Sequence, residues 1–228
     1  AFFPCYNDSS TLQALIEEAL GVLGAITSEY EVIIVDDGSS DSSGAVIDSL
    51  AASCERVRVV RHDRNRGYGA ALRSGIKTST MEWVFYTDSD GQYDVGDLLR
   101  LHRLSGTADV VNGYKRSRSD PWYRVFLGAA YNAVIRLIFA IPIRDTDCDF
   151  RLMRGELVRG LDLRSEGGAI CVELVKGLQA AEATFAEMPV EHYPREEGKS
   201  QFFRLKNLVV MGGELASLWW RLLKRGEV

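Results

Sequence analysis

Trp83-Val84-Phe85-Tyr86-Thr87-Asp88-Ser89-Asp90-Gly91-Gln92-Tyr93 is an apolar run that passes directly into a polar turn carrying two carboxylates one residue apart. A strand without polar alternation belongs in a sheet covered on both faces, and such sheets are mostly parallel. The same order of elements recurs upstream. Residues 1–4 lead into Cys5-Tyr6-Asn7-Asp8, residues 31–35 into Asp36-Asp37-Gly38-Ser39-Ser40-Asp41, and residues 57–61 into His62-Asp63-Arg64-Asn65-Arg66-Gly67-Tyr68-Gly69. Helical spacing of apolar residues fills the gaps. In the first gap Leu12, Leu15, Ile16, Ala19, Leu20 and Leu23 form one stripe, with Ser10 expected as N-cap and Gln13 completing a capping box. A fifth strand is expected over 109–113. This alternation predicts an α/β fold with a mainly parallel central sheet flanked by helices, its ligands at the carboxyl ends of the strands.

The rhythm changes after Gly113. A polar turn over 117–121 precedes a helical pattern over 122–139, a polar loop over 144–149 and a short strand over 150–154. A helix over 172–181, a strand over 184–190, a charged loop over 193–200 and a helix over 204–223 complete the chain. There is no repeat and no linker rich enough in Pro, Gly or Ser to divide the 228 residues, so one domain is expected.

Composition narrows the function. Twenty-seven Lys and Arg against 32 Asp and Glu give a net charge of −5, which argues against a general nucleic-acid binder. A hydrophobic content of 46% excludes a disordered chain. Cys5, Cys54, Cys148 and Cys171 are far apart with no Cys-x-x-Cys pair, so neither a zinc site nor a disulfide framework is expected, and free thiols in a reducing compartment are. Charges at Arg136, Arg144, Glu214 and Arg221 interrupt the two most apolar stretches, leaving none of the roughly 18 apolar residues a membrane span needs. The first residues show neither an initiator Met nor a basic-then-apolar leader, and the chain is expected to begin just inside its first strand.

Asp88 and Asp90 at a strand end suit a divalent cation bridging diphosphate oxygens, because hard cations take oxygen ligands; the plain alternative is a turn with solvated aspartates. At the second strand end, Asp41 or Ser42 can cap the following helix and Gly38 can make the turn. Asp36 and Asp37 need more, since two like charges ending a buried strand are costly unless a partner, cation or ligand offsets them. Gly67 and Gly69 would let a helix start approach an anion closely. The Gly-x-Gly-x-x-Gly that a hydride-transfer dinucleotide fold carries after its first strand is absent.

These segments together resemble the family 2 glycosyltransferases, whose nucleotide-diphospho-sugar transferase fold is called GT-A. The family's Pro-x-Tyr-Asn-Glu reads Pro4-Cys5-Tyr6-Asn7-Asp8, its Val-Asp-Asp-Gly-Ser-x-Asp runs from Val35 to Asp41, its Asn-x-Gly-x-Gly-x-Ala from Asn65 to Ala71, and its Asp-x-Asp is Asp88 to Asp90. The second half is similar to the polyprenol-phosphate sugar synthases. Their Asp-x-Asp-x-Gln is matched by Asp88, Asp90 and Gln92, and their Asp-Thr-x-Cys-Gly-Phe-Arg by Asp145-Thr146-Asp147-Cys148-Asp149-Phe150-Arg151, with Asp149 in place of Gly. Gly113-Tyr114-Lys115 stands where that family has Gly-Ser-Arg; lysine keeps the charge but loses the bidentate fork.

The resemblance implies an inverting transfer of a sugar from a UDP- or GDP-linked donor to a polyprenyl phosphate. Pro4, Tyr6, Asp8, Asp37, Gly69 and Asp88 would line the nucleotide-sugar site, with Tyr6 and Asp37 gripping the nucleoside. Asp88, Asp90 and Gln92 would hold Mg²⁺ or Mn²⁺. Asp90, Lys115, Arg124 and Asp145 would carry the chemistry, and Lys115, Arg124, Arg195, Lys199 and Ser200 would receive the acceptor phosphate. Residues 1–112 would form the nucleotide and metal half and residues 113–228 the acceptor half. A phosphate acceptor is already ionised at neutral pH and needs cations rather than a base. A sugar-hydroxyl acceptor in polysaccharide or glycolipid synthesis would instead need Asp145, Asp147 or Asp149 as base, and a non-catalytic sugar-nucleotide module remains the alternative outside enzymes. Aromatic and apolar residues with flanking cations on the helices over 122–139 and 204–223 suit attachment to an anionic membrane surface at its cytoplasmic face, or else packing on the sheet or at a dimer interface. Charge divides in the same way: 9 basic against 17 acidic side chains in residues 1–112, 9 against 5 in residues 113–160, and 9 against 10 in residues 161–228.

Overall fold

The computed structural model describes residues 1–116, 122–194 and 205–225, with side chains omitted for 122–127, 205–209 and 225. Seven strands form one sheet in the order β3-β2-β1-β4-β6-β5-β7. β1 (Phe2–Cys5), β2 (Val32–Asp36), β3 (Val57–Arg61) and β4 (Trp83–Thr87) run parallel, and β5 (Val110–Lys115) is parallel to β7 (Phe185–Val190). β6 (Phe150–Arg154) is antiparallel to both β4 and β5. The start of β6 therefore lies at the same edge of the sheet as the ends of the strands beside it.

Strands buried on both faces explain the unbroken apolar runs. Phe3, Val32, Ile34 and Phe85 point into one layer, where Leu12, Ile16 and Ala19 of α1 (Ser9–Ile26), Ile47 of α2 (Ser43–Ser53) and Leu101 of α4 (Leu98–Leu104) meet them; α3 (Tyr68–Thr78) lies in the other layer. Phe2, Ile33, Val35 and Tyr86 point there, against Leu72 and Ile76 of α3, Val158 of α6 (Gly155–Arg159) and Ile170 and Leu174 of α7 (Ala169–Ala180). The Phe2 ring stacks on Tyr86 with centroids 5.3 Å apart, and Gly75 leaves room for it: a Cβ there would fall 2.6 Å from Phe2 Cγ. A third cluster joins Ile135 and Phe139 of α5 (Trp122–Phe139) to Val172 and Val175 of α7 and to Leu218 and Leu222 of α8 (Leu205–Arg225). Arg221 pairs with Glu173 at 2.8 Å, and Glu214 accepts from the Gly167 amide at 2.8 Å, which fixes α8 to the start of α7.

One local expectation fails. Ser10 lies inside α1 and the N-cap is Asp8, which makes no side-chain cap bond; Gln13 donates to Glu17 instead of reaching back. The Asp8 side chain is taken by a tertiary contact described below. At α2 the cap is Ser42, while Asp41 Oδ1 accepts from the Ser43 amide at 2.9 Å.

The strand order reverses between β1 and β4, one continuing outward to β2 and the other toward β6. In open α/β sheets a crevice forms at such a switch point beyond the carboxyl ends of the strands.

Candidate active site at the carboxyl edge of the sheet

Four strand ends meet at that crevice. After β1, Asn7 takes a left-handed backbone (φ 59°), and its Oδ1 accepts from the Ser40 amide at 2.8 Å, so the turn after β1 interlocks with the turn after β2. Tyr6 is 41% exposed beside it. Pro4 is buried in β1, and its carbonyl lies 2.7 Å from Ser89 Oγ, which also lies 2.7 Å from Asp8 Oδ2. Thr11 Oγ1 donates to the Ser89 carbonyl at 2.6 Å. Ser89, the middle residue of Asp88-Ser89-Asp90, thus turns inward and fastens the two-carboxylate turn to β1 and α1.

The β2 turn finds its partners within the chain. Asp36 accepts from the Ser39 amide at 2.9 Å and faces Arg61 at 3.6 Å. Asp37 is 3% exposed; its Oδ1 lies 2.6 Å from His62 Nδ1 and accepts from the Arg66 amide at 2.8 Å, while Oδ2 accepts from the Gly67 amide at 3.0 Å. His62 Nε2 lies 2.9 Å from Ser74 Oγ. A buried carboxylate with three hydrogen bonds anchors the loop after β3. Gly38 is obligatory here: its φ is +72°, and a Cβ would fall 2.6 Å from the Asn65 amide nitrogen.

Gly67 and Gly69 serve the protein rather than an anion. The Gly67 amide goes to Asp37, and the Gly69 amide donates to the Glu166 carbonyl at 2.7 Å. The backbone at Ser165 and Glu166 crosses the start of α3 so closely that a Cβ on Gly69 would fall 2.9 Å from the Glu166 carbonyl carbon. Small residues are needed because chain passes over them, which corrects the expectation of an open anion cradle.

Asp88, half-buried at the end of β4, accepts from Tyr68 Oη at 2.7 Å. Asp90 is buried and accepts from the Gln92 amide at 3.1 Å. The Gln92 side chain turns its nitrogen to the Tyr193 carbonyl at 3.0 Å, tying this turn to the segment that precedes residues 195–200. Tyr86 pairs with Arg151 and Thr87 with Phe150, so the next step along β4 and β6 sets Asp88 opposite Asp149. Burial, then the charges of Asp149 and Asp90, hold the Asp88 carboxyl well above the usual carboxylate range, against the pull of Tyr68 and Lys115. Burial likewise raises Asp149, with Lys115 and Arg151 opposing.

Across β6, Lys115 ends β5 half-buried, its Nζ 3.2 Å from the Asp147 carbonyl and 5.9 Å from the centre of the Tyr93 ring. Asp145 is buried beneath it, 3.4 Å from both Asn132 Nδ2 and the Lys115 amide. Arg124 sits on α5 with its side chain outside the described residues, and Arg118, Arg195, Lys199 and Ser200 lie outside them altogether. Pro4, Tyr6, Asp8, Asp37, Gly69, Asp88, Asp90, Gln92, Lys115 and Asp145 thus share one edge of the sheet. Sequence reading missed four residues that organise it: His62, Ser74, Tyr68 and Ser89. His62 alone left a signal, standing one residue past β3 as Asp37 stands one residue past β2.

The model of glycosyl transferase family 2 matches residues 1–160. The chain belongs to that family. It is 27% identical to glycosyltransferase AglD of Haloferax volcanii over 99% of its own length and 37% of that protein's. Identity is 26% to the dolichyl-phosphate beta-glucosyltransferase ALG5C of Trichomonas vaginalis, covering 94% of the chain and 68% of the relative. It is 28% to an undecaprenyl-phosphate 4-deoxy-4-formamido-L-arabinose transferase of Sodalis glossinidius, covering 91% and 64%. The chain therefore spans between about a third and two thirds of the length of these relatives. Among solved structures it resembles glucosyl-3-phosphoglycerate synthase from Mycobacterium tuberculosis in complex with Mn²⁺, UDP and phosphoglyceric acid, with TM-score 0.71, 17% identity, and 96% of this chain and 77% of that one covered. The same enzyme with Mg²⁺ and UDP matches at TM-score 0.69 and 17% identity, covering 95% and 77%. The fold is GT-A.

Proposed function

We propose that this family 2 chain catalyses the inverting transfer of a sugar from a UDP- or GDP-linked donor to a polyprenyl phosphate. One arrangement carries the reading: the Asp88-Ser89-Asp90 turn and Lys115 stand at the same edge of the sheet, on β4 and β5, with only β6 between them. Carboxylates on one side suit a metal-bound diphosphate, and a cation on the other suits an anionic acceptor. The names of two relatives, acting on dolichyl and undecaprenyl phosphate, support that acceptor class.

The donor set fits Mg²⁺ or Mn²⁺. Among the described residues no group of three or more His, Cys, Asp or Glu forms a protein-only metal cage. Such ions are commonly held by one or two carboxylates, with substrate phosphates and water completing the shell. Asp88, whose ionised form is disfavoured by burial and by the charges of Asp149 and Asp90, and its neighbour Asp90 are the side chains that would hold the ion, with Gln92 beside them. When bound, it neutralises charge that develops on the leaving diphosphate. The chain's own residues do the rest. Tyr68 and Ser89 fix the two-carboxylate turn, Tyr6 offers an exposed ring to the nucleobase, and the Asp37–His62 pair holds the neighbouring loop. Lys115, Arg124, Arg195 and Lys199, with Ser200, receive the acceptor phosphate, whose ionised oxygen needs no general base.

Residues 1–228 act in this reading as one catalytic unit, 1–112 for the donor and 113–228 for the acceptor. Among the described residues no helix is long and apolar enough to cross a membrane. Leu137 is 85% exposed on α5, and Trp220 is 55% exposed on α8 with Lys224 over its ring at 5.5 Å. Exposed apolar and aromatic residues with basic neighbours suit a helix lying on anionic lipid, which brings the crevice to a lipid acceptor. Free thiols at all four cysteines suit the cytoplasmic face. The test supplies Mn²⁺ or Mg²⁺, UDP- and GDP-sugars, and either polyprenyl phosphate or a free sugar, and measures nucleotide release. Turnover with the lipid phosphate is expected; turnover with the sugar hydroxyl alone would overturn the acceptor assignment.

A further inference from the structure

The strand order places one more carboxylate between donor and acceptor. β4 runs directly into Asp88, β5 ends in Lys115, and β6 lies between them in the opposite direction, so Asp149, one residue before its start, shares their edge. Neighbouring strands stand about 4.8 Å apart, which puts the ends of β4 and β5 roughly 10 Å from each other with Asp149 midway. A sugar leaving a diphosphate held at Asp88 for a phosphate held at Lys115 crosses that interval. The Asp149 side chain is half-buried and faces both neighbours electrostatically, repelled by Asp88 and attracted by Lys115. On the protein side Asp149 Oδ1 accepts from Tyr86 Oη at 3.4 Å, long for a bond to a carboxylate, and from the weak donor Cys171 Sγ at 3.3 Å, and Tyr68 also hydrogen-bonds the carboxylate. The motif that this segment resembles has glycine here, so the carboxylate is a feature of this chain rather than of the pattern.

We propose that Asp149 is a specificity-determining residue that accepts a hydrogen bond from a hydroxyl of the donor's transferred sugar. A carboxylate set in a partly desolvated mouth selects strongly, because a sugar lacking the hydroxyl, or carrying it in the other configuration, leaves the buried acceptor unmatched. Asp149 would then act on the sugar and not on the nucleotide or the metal. The inference rests on the proposed donor and acceptor sites, while its binding test needs no acceptor.

The experiment compares the full chain with Asp149→Asn and Asp149→Gly by titration with UDP, GDP, UDP-glucose, UDP-galactose, GDP-mannose and monodeoxy analogues of the best donor, in Mn²⁺ and without acceptor, followed by turnover with polyprenyl phosphate. The wild type should bind its preferred nucleotide sugar at least ten-fold more tightly than the matching free nucleotide or one of the monodeoxy donors. Both variants should lose that margin and about 100-fold in kcat/KM, with nucleotide affinity and Mn²⁺ dependence within two-fold of wild type. A variant that keeps the margin, or that loses nucleotide or Mn²⁺ affinity instead, overturns the role. If wild type binds the sugar donor but turns over nothing with the lipid, the acceptor assignment fails while the Asp149 result still stands. If no nucleotide sugar binds, both fall. Thermal melting separates a misfolded variant from a selective one, and Asp149→Asn preserves shape if Asp149→Gly unfolds.

Discussion

Replacing His62 with alanine tests whether Asp37 is a loop anchor. Asp37 is buried and, among the described residues, has one side-chain hydrogen-bond partner, His62 Nδ1 at 2.6 Å, beside the Arg66 and Gly67 amides. A hydrogen bond to a charged group contributes about 1.5–3 kcal/mol, and emptying the space of a buried ring adds to the loss, so His62→Ala should cost roughly 3 kcal/mol. For a chain of this size that is a fall in melting temperature of about 6–12 °C. Asp37→Asn should cost a similar amount, since an amide cannot accept from all three donors as the carboxylate does. Because both changes break the same bond, the double variant should be more stable than the sum predicts by about 1.5 kcal/mol. Urea unfolding of the four proteins gives the coupling, and titration with UDP and GDP gives the functional side. An anchor predicts that nucleotide affinity and stability fall together in both single variants. Additive costs, or an Asp37→Asn that loses nucleotide affinity with unchanged stability and an unaffected His62→Ala, would refute the anchor and restore Asp37 as a direct contact to the nucleobase.

Gly69→Ala should destabilise by about 1–3 kcal/mol in thermal melts, since its Cβ meets the Ser165 and Glu166 backbone, whereas Gly21→Ala, with nothing within 4 Å in mid-α1, should stabilise by up to about 1 kcal/mol. Equal effects at the two sites would refute the close crossing. Tyr68→Phe removes the 2.7 Å bond to Asp88 and should lower turnover roughly ten-fold or more, with a small change in melting temperature; unchanged kinetics at limiting Mn²⁺ would show that Asp88 needs no such positioning. For pH, the Asp88 carboxyl is raised in the folded chain, so the native state binds more protons than the unfolded chain between the ordinary carboxylate range and the raised value. Its contribution to stability is present below the ordinary range and lost as pH rises through the raised pKa. Mn²⁺ should therefore raise the melting temperature more at pH 8 than at pH 5, and a shift independent of pH would count against a carboxylate site. Cys148, pushed up to about 12 by burial, should resist alkylation at pH 8 in the native chain while the half-exposed Cys54 reacts, as peptide mapping would show.

β1, β2 and β4 were legible because their runs are apolar on both faces and closed by a polar turn, and Phe150–Arg154 also forms where its short run indicates, although it carries Arg151. The edge carrying the site followed, since parallel strands gather their ends. What stayed hidden was decided by partners distant in the chain. Gly69 looks like an anion cradle until Glu166 arrives over it, and Asp37 looks uncompensated until His62 closes on it. Ser10 and Gln13 spell a capping box, yet the helix begins at Ser9 because the turn after β1 is pulled in by Ser43 and Ser89 through Asp8. Local patterns state what a segment can do, and tertiary competition for the same donors and acceptors decides what it does.

The division of charge along the chain has a topological cause. The acidic residues of the first half reach the crevice because β1, β2 and β4 are parallel and end there. From residues 113–160 two charges of opposite sign reach the same edge: β5 arrives in the parallel sense with Lys115 at its end, and β6 returns antiparallel, so Asp149 comes to the crevice just before the strand's beginning. Had β6 been parallel, its charged start would lie at the far edge of the sheet, and Asp88 would not face Asp149. A single antiparallel strand inserted between β4 and β5 thus sets a carboxylate of the acceptor half against the carboxylates of the donor half. With Lys115 beyond it on β5, the crevice has a carboxylate wall and a cationic wall, built from a chain whose net charge says nothing about either.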